Sequence, residues 1–213
     1  MRRRLLASVG GKALPYDAEV EWLSSDRHQY IITDYIPSSR THWRIDYKFN
    51  VIEQVFSCVA GIAGASNNDR SMQFGHNSDA NYNTYYYNSS VNNYPNSGID
   101  TSRTVIYRDG STAKMTKIGG TYNGSRQLNS TFTCPSEIVL FGRMLNGEVG
   151  GLSDATIYSV QFGEGGELVR DFIPVRFTNE NGVSEGVLYD RVSGKLFRNA
   201  GTGAFAIGPD KTT

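Results

Sequence analysis

The sequence is short of several things, and each shortage closes off a class of chemistry. It has two cysteines, three histidines and six prolines in 213 residues. Cys58 and Cys134 are too few for a disulfide scaffold and lack the spacing of a metal site. Each sits in an apolar, strand-like run, at 55–59 and 132–134. Two buried free thiols are expected, with a bridge between neighbouring strands as the alternative. His28, His42 and His76 are isolated, without the His-x-His or His-Glu-x-x-His pattern that holds zinc, and no metal ligands are assigned. Net charge is missing too, since 21 Lys and Arg balance 21 Asp and Glu. A neutral chain has no overall attraction for polyanions, so nucleic acid is not an expected partner. No apolar stretch approaches the ~18 residues needed to span a bilayer, and no membrane insertion is expected.

Catalytic patterns are equally scarce. There is no Gly-x-Ser-x-Gly nucleophile elbow and no phosphate-cradling glycine loop. Glycan hydrolysis needs two carboxylates flanking the bond, roughly 5 Å apart for retention and ~6.5–9.5 Å for inversion. On a strand, same-face carboxylates fall at i, i+2 and i+4. Glu19 and Glu21 have that spacing, but Trp22 and Leu23 follow directly and no third acid does. Glu164 and Glu167 fall in a glycine-rich turn, where a rigid acid–base pair is poorly held. The chain is not expected to be an enzyme, and no catalytic residue is assigned.

What the sequence does have is glycine (23 residues) and aromatics (12%, with 13 Tyr and 10 Phe). That composition suits tight turns and a packed core in one medium domain. Residues 41–49 alternate cleanly, Trp43, Ile45, Tyr47 and Phe49 to one side and His42, Arg44, Asp46 and Lys48 to the other. The pattern is that of a half-buried antiparallel strand with a solvated outer face. Residues 51–63 are more uniformly apolar and predict a central strand. Residues 104–108 and 113–118, joined through Asp109-Gly110, predict a hairpin. Further strands are expected at 136–143 and 155–162, the second followed by a Gly163-Glu164-Gly165-Gly166 turn. No amphipathic helix of three turns is visible. Many short strands between Gly, Asn, Asp and Ser turns predict an all-β, two-sheet jelly roll.

Residues 65–98 differ from everything around them, being crowded with Asn and Tyr and poor in charge. Amides and tyrosines make a surface that hydrogen-bonds and stacks at low entropic cost. The candidate ligand-binding residues are Asn81, Tyr82, Asn83, Tyr85, Tyr86, Tyr87, Asn92, Asn93 and Tyr94. The other reading of the same segment is a pair of polar strands whose tyrosines fill the sandwich edge. No cofactor is expected. Calcium is the one metal considered, through Asn67-Asn68-Asp69 or Asp79-Ala80-Asn81, but neither has the spacing of a calcium loop.

Residues 1–14 start with Arg2, Arg3, Arg4, Leu5 and Leu6. The apolar run is too short for a signal peptide and Lys12 closes it off. A solvated basic tail is one reading. An anchoring arm is the other, its arginines seeking a polar groove and its leucines acting as an apolar plug.

The last third contains 167–176 and then Gly186-Val187-Leu188-Tyr189-Asp190-Arg191-Val192-Ser193-Gly194-Lys195-Leu196-Phe197. The second run predicts a hairpin turning at Val-Ser-Gly-Lys, with Gly194 at positive φ. Arg170-Asp171 and Asp190-Arg191 predict an ion pair tying this segment to the sandwich. Together with 16–23 and 29–37, this region resembles the concanavalin A-like (laminin-G-like) jelly-roll domains, of the kind found in gut Bacteroidetes and their phages or prophages. The resemblance covers residues 15–209, between the arm and a 210–213 tail, and is strongest at the two ends. Ser25-Asp26-Arg27-His28 departs from it, being bulkier and more charged than the small turn expected there.

The resemblance implies a concanavalin A-like β-sandwich of two antiparallel sheets. It implies a non-catalytic module that binds a glycan or cell-surface ligand, set on a virion as a fibre-associated or capsid-decorating component. The arm would then dock other virion proteins, with a homo-oligomer as one arrangement, on the virion surface or in the cytoplasm of the producing cell. The alternative is a purely structural virion or assembly subunit with only protein partners.

Overall fold

The computed structural model describes residues 8–9, 12–52, 55–63, 72–76, 83–87, 90–93, 100–109, 111–119, 123–127 and 132–212. Among these there is no helix. The elements in chain order begin with β1 (Ser8–Val9), β2 (Lys12–Ala13), β3 (Ala18–Glu19), β4 (Leu23–Asp26), β5 (Ile31–Ile32), β6 (Thr41–Phe49) and β7 (Ser57–Ala63). They continue with β8 (Met72–His76), β9 (Asn83–Tyr87), β10 (Ser90–Asn93), β11 (Thr104–Asp109), β12 (Thr112–Lys117), β13 (Asn123–Gln127) and β14 (Val139–Leu140). The last are β15 (Arg143–Leu145), β16 (Glu148–Gly150), β17 (Asp154–Glu164), β18 (Glu167–Thr178), β19 (Ser184–Asp190), β20 (Lys195–Phe197) and β21 (Ala206–Ile207).

Two sheets make a β-sandwich. The larger runs β13-β12-β11-β6-β17-β18-β19-β20, with β3, β4 and β21 alongside, and the smaller runs β10-β9-β8-β7-β14-β5 with β15 and β16. β1 and β2 form a separate small hairpin. Between the sheets, Trp43 of β6 packs on Phe74 of β8 at 5.1 Å between ring centroids, and Phe49 meets His76 edge-on at 4.7 Å. Phe162, Phe172, Leu188 and Ile45 fill the same core from the larger sheet, and Ile62, Met72 and Leu140 from the smaller. Each fully buried side chain of this size contributes about 1.5–3 kcal/mol.

Alternation explains β6. Trp43, Ile45, Tyr47 and Phe49 are buried, while Arg44 is exposed and His42 and Lys48 are half-buried. Asp46 departs from the expected solvated face. It is buried because Arg103, from just before β11, closes over it with two hydrogen bonds of 2.7 and 2.8 Å. The 104–118 hairpin forms as β11 and β12, and the Gly194 turn forms between β19 and β20 with Gly194 at φ 73°.

The strand expected at 136–143 is broken. Phe141 takes a left-handed φ of 63°, so the chain reverses after β14 and returns as β15. β14 pairs β7 antiparallel, whereas β15 pairs β7 in parallel, which corrects the expectation of purely antiparallel sheets.

A second, smaller apolar cluster lies on the outer face of β18 and β19. Tyr16 covers Ile173, Val175 and Val187 there, with its ring 5.0 Å from that of Tyr189. The chain beyond Pro209 stays tied to the sandwich, through Arg176 to Asp210 at 2.7 Å and the Lys211 N–H to the Glu19 carbonyl.

Candidate functional site

Strand register brings together residues that lie far apart in sequence. Ser125 of β13 stands opposite Lys114 of β12, and Lys114 opposite Tyr107 of β11. Tyr107 stands opposite Arg44 of β6, Arg44 opposite Gln161 of β17, and Gln161 opposite Asp171 of β18. These six residues form one row at right angles to the strands. Because Ile45 and Val160 beside them point into the core, the row lies on the outer face of the larger sheet. With strands ~4.8 Å apart, it extends for about 24 Å.

The row is polar with one ring in its middle. Tyr107 is half-buried and flanked by two cations, the Arg44 guanidinium at 5.9 Å and the Lys114 ammonium at 6.0 Å from the ring centroid. Gln161 donates from Nε2 to Asp171 at 3.1 Å, which fixes its amide. Asp171 is neutralised by Arg191, whose Nη2 lies at 2.7 Å. Two clefts open along this polar strip. One, of about 250 Å³, is lined by His42, Arg44, Gln161, Gly163, Glu167 and Leu168. The other, of about 290 Å³, is lined by Tyr107, Lys114, Thr116, Gly124 and Ser125.

The first cleft owes its shape to the β17–β18 turn. Gly165 and Gly166 both have positive φ, at 60° and 91°, and turn the chain tightly back. The ladder shifts register between Phe162 and Gly163, and a side chain at Gly163 would meet the Glu167 carbonyl at 2.8 Å. The strand runs to Glu164, into the Gly163–Gly166 turn read from the sequence.

Glu164 itself is a structural hub. Its Oε1 accepts from Ser38 Oγ at 3.0 Å, Thr41 Oγ1 at 3.1 Å and Tyr35 Oη at 3.3 Å. Burial pushes the Tyr35 phenol up to about 12, so it remains a donor. Beside the row, Arg103 lies over the Tyr158 ring at 3.8 Å while bound to Asp46, and that hydrogen-bonded carboxylate raises its pKa. Among the described residues no group of three or more His, Cys, Asp and Glu could hold a metal ion.

The residues singled out from sequence lie elsewhere. Asn83, Tyr85, Tyr86 and Tyr87 are on β9, and Asn92 and Asn93 on β10, which is the edge strand of the smaller sheet. Their register sets Tyr85 opposite Asn92 and Tyr87 opposite Ser90. Asn81, Tyr82 and Tyr94 lie outside the described residues, as do Arg2, Arg3, Arg4, Leu5 and Leu6 and both calcium candidates. In the Ser25–His28 turn, Ser25 Oγ accepts from the Arg27 N–H and donates to the Gln29 carbonyl, Arg27 has φ 77°, and the His28 carbonyl accepts from the Thr202 N–H. Cys58 and Cys134 are buried free thiols, as expected, and are not bridged. Sequence reading missed the outer-face row. The one local signal was the His42-Arg44 face of β6.

The protein is thus an all-β sandwich of two sheets with an open, polar, aromatic-centred strip on one outer face. Among solved structures it is similar to the carbohydrate-binding module CBM40 of the Ruminococcus gnavus IT-sialidase. The identity is 12%, the match covers 69% of this chain and 87% of that one, and the TM-score is 0.43. No protein-family model and no curated protein matches the chain.

Proposed function

We propose that the protein is a non-catalytic recognition module that binds glycans through the outer face of its larger sheet. The observation that carries this reading is the row itself. A tyrosine ring in a row of polar side chains, with clefts beside it, offers what a pyranose needs: an apolar face to stack on and hydrogen bonds for its hydroxyls. Gln161 and Ser125 supply neutral donors and acceptors along the strip. The first cleft, of about 250 Å³, suits one sugar ring rather than a larger ligand.

The Asn/Tyr hairpin of β9 and β10 is a second candidate surface within the same proposal, supported by its composition and its place at a sheet edge. A virion-surface setting is part of the proposal on the family resemblance alone, as is the docking role of the N-terminal arm. Contact with a single sugar in an open strip is expected to be weak, about millimolar or ~4 kcal/mol, and many copies on one particle would raise the avidity.

A glycan-array screen of the full chain tests the reading, alongside a Tyr107→Ala variant and a Tyr85→Ala, Tyr86→Ala, Tyr87→Ala triple variant of confirmed fold. Selective binding lost in Tyr107→Ala supports the outer face, and loss in the triple variant supports the hairpin. No binding, even by a multimerised protein, favours the structural subunit with only protein partners.

A further inference from the structure

We propose that the cleft beside the β17–β18 turn takes a zwitterionic sugar, one pyranose that carries both an ammonium and a carboxylate. This rests on the glycan reading above and names the class of sugar. The starting point is a pair of opposite charges that do not meet. Arg44 and Glu167 are both exposed, and both line this cleft of about 250 Å³. Among the described residues neither forms an ion pair, with the other or with any third group. The sheet keeps them apart. Arg44 stands on β6 and Glu167 on β18 with β17 between, two strand spacings or about 10 Å.

The neighbouring charges are engaged. Asp171 and Asp46 are held by Arg191 and Arg103, each at 2.7 Å, and Glu164 lies 3.7 Å from Arg40. Arg170 lies 3.7 Å from Asp190, and Arg108 donates to the Thr41 carbonyl at 2.9 Å. His42 counts as neutral at pH 7, and Lys114 does not line the cleft. One unpaired cation thus faces one unpaired anion across the same small space.

The floor between them is glycine. Register sets Gly163 between His42 of β6 and Leu168 of β18. A Cβ at Gly163 would stand 2.8 Å from the Glu167 carbonyl and 3.8 Å from the His42 Cβ, so a side chain there would fill the slot. Leu168, 46% exposed, gives the slot one apolar wall. Gln161 donates its amide to Asp171 and keeps its Oε1 for a ligand hydroxyl.

A sugar with a carboxylate alone would gain Arg44 and be repelled by Glu167, and a sugar with an ammonium alone would meet the reverse. A separation of ~10 Å is close to the screening length at physiological salt, so each ligand charge feels both protein charges. An amino-uronic acid carries its two charges on opposite edges of one ring. It can therefore meet Glu167 and Arg44 together, with the ring over Gly163 and against Leu168. Both contacts are charge-assisted, and so stronger than the neutral hydrogen bonds of a plain hexose.

The test uses the methyl glycosides of four related sugars. Glucosaminuronate has both charges, glucuronate the acid alone, glucosamine the ammonium alone, and glucose neither. Each is titrated into the nitrogen-labelled full chain and followed by amide chemical shifts. The expected result is about fivefold tighter binding of glucosaminuronate than of either singly charged sugar at low salt. The shifts should centre on the Gly163 and Gly166 amides. Arg44→Gln should erase the advantage over glucosamine, and Glu167→Gln the advantage over glucuronate, both at unchanged melting temperature. Equal binding of all four at the cleft, or of the zwitterion and one singly charged sugar, would overturn the inference and leave the glycan reading standing. Shifts centred elsewhere would overturn the placement. Failure of glucosaminuronate to bind would overturn the inference, and an empty glycan array as well would overturn the glycan reading too.

Discussion

Arg191 lies 2.7 Å from Asp171 where β18 and β19 meet, while the neighbouring Arg170 reaches back towards Asp190 at 3.7 Å. The order is Arg-Asp on one strand and Asp-Arg just past the other, so an antiparallel ladder crosses the charges into two opposed pairs. Asp190 is fully buried and accepts from the Asp171 N–H at 2.8 Å, the Val192 N–H at 3.1 Å and the Ser193 hydroxyl at 2.6 Å. One carboxylate thus caps the β19–β20 turn and locks β18 to it. This corner also ends the polar row, since Asp171 fixes the Gln161 amide.

Removing the buried acid should cost far more than removing its exposed neighbour. Asp190→Ala strands several donors and is expected to lower unfolding free energy by about 3–5 kcal/mol. Arg191 is half-exposed but its partner Asp171 is buried, so Arg191→Ala should cost about 1–2 kcal/mol, less than Asp190→Ala. Urea denaturation of both variants checks this, and equal losses would contradict the assignment of Asp190 as the hub.

Alkaline pH should loosen the fold within a defined window. Burial pushes the Cys58 and Cys134 thiols and the Tyr16 and Tyr35 phenols up to about 12. In the unfolded chain these groups ionise near ~8.5 for thiols and ~10 for phenols. The folded state holds their protons more tightly, so their contribution is complete below about pH 8 and is lost as pH rises towards 12. Urea midpoints measured across that range should fall steadily. At about pH 8, a thiol reagent should label neither cysteine in the folded protein and both after unfolding.

Two glycines should respond to alanine for different reasons. At Gly194 the left-handed backbone alone objects, and Gly194→Ala should cost about 1 kcal/mol. At Gly201 a side chain would collide with the His28 carbonyl oxygen, a backbone atom with little room to move. Gly201→Ala should therefore cost more, about 3 kcal/mol, with thermal unfolding as the readout.

The fold was legible where the code is local. Residue alternation in 41–49, Asp46 apart, the pairing of 104–109 with 112–117 and the Gly194 turn formed as read, while the Arg-Asp dipeptides pair with each other across β18 and β19. What was not legible depends on partners distant in the chain. Nothing near Asp46 announces Arg103, 57 residues away, which buries it. Nothing in 136–143 marks Phe141 as the residue that turns left-handed and sends β15 parallel to β7. The row is the strongest case, because Arg44, Tyr107, Lys114, Gln161 and Asp171 meet only through the register of five strands. Composition drew the sequence reading to the Asn/Tyr segment, whose amides cluster within one stretch of the chain and so could be seen without any register.

The central claim is that the outer face of the larger sheet binds sugar, and Tyr107→Ala on the glycan array tests it most directly. Tyr107 is half-buried on a solvated face, so its loss should leave the melting temperature within a few degrees of wild type. The account predicts that the variant folds and loses the selective binding of the parent. Full binding by Tyr107→Ala, with loss in the Tyr85, Tyr86 and Tyr87 triple variant instead, would contradict it and move the site to the opposite sheet.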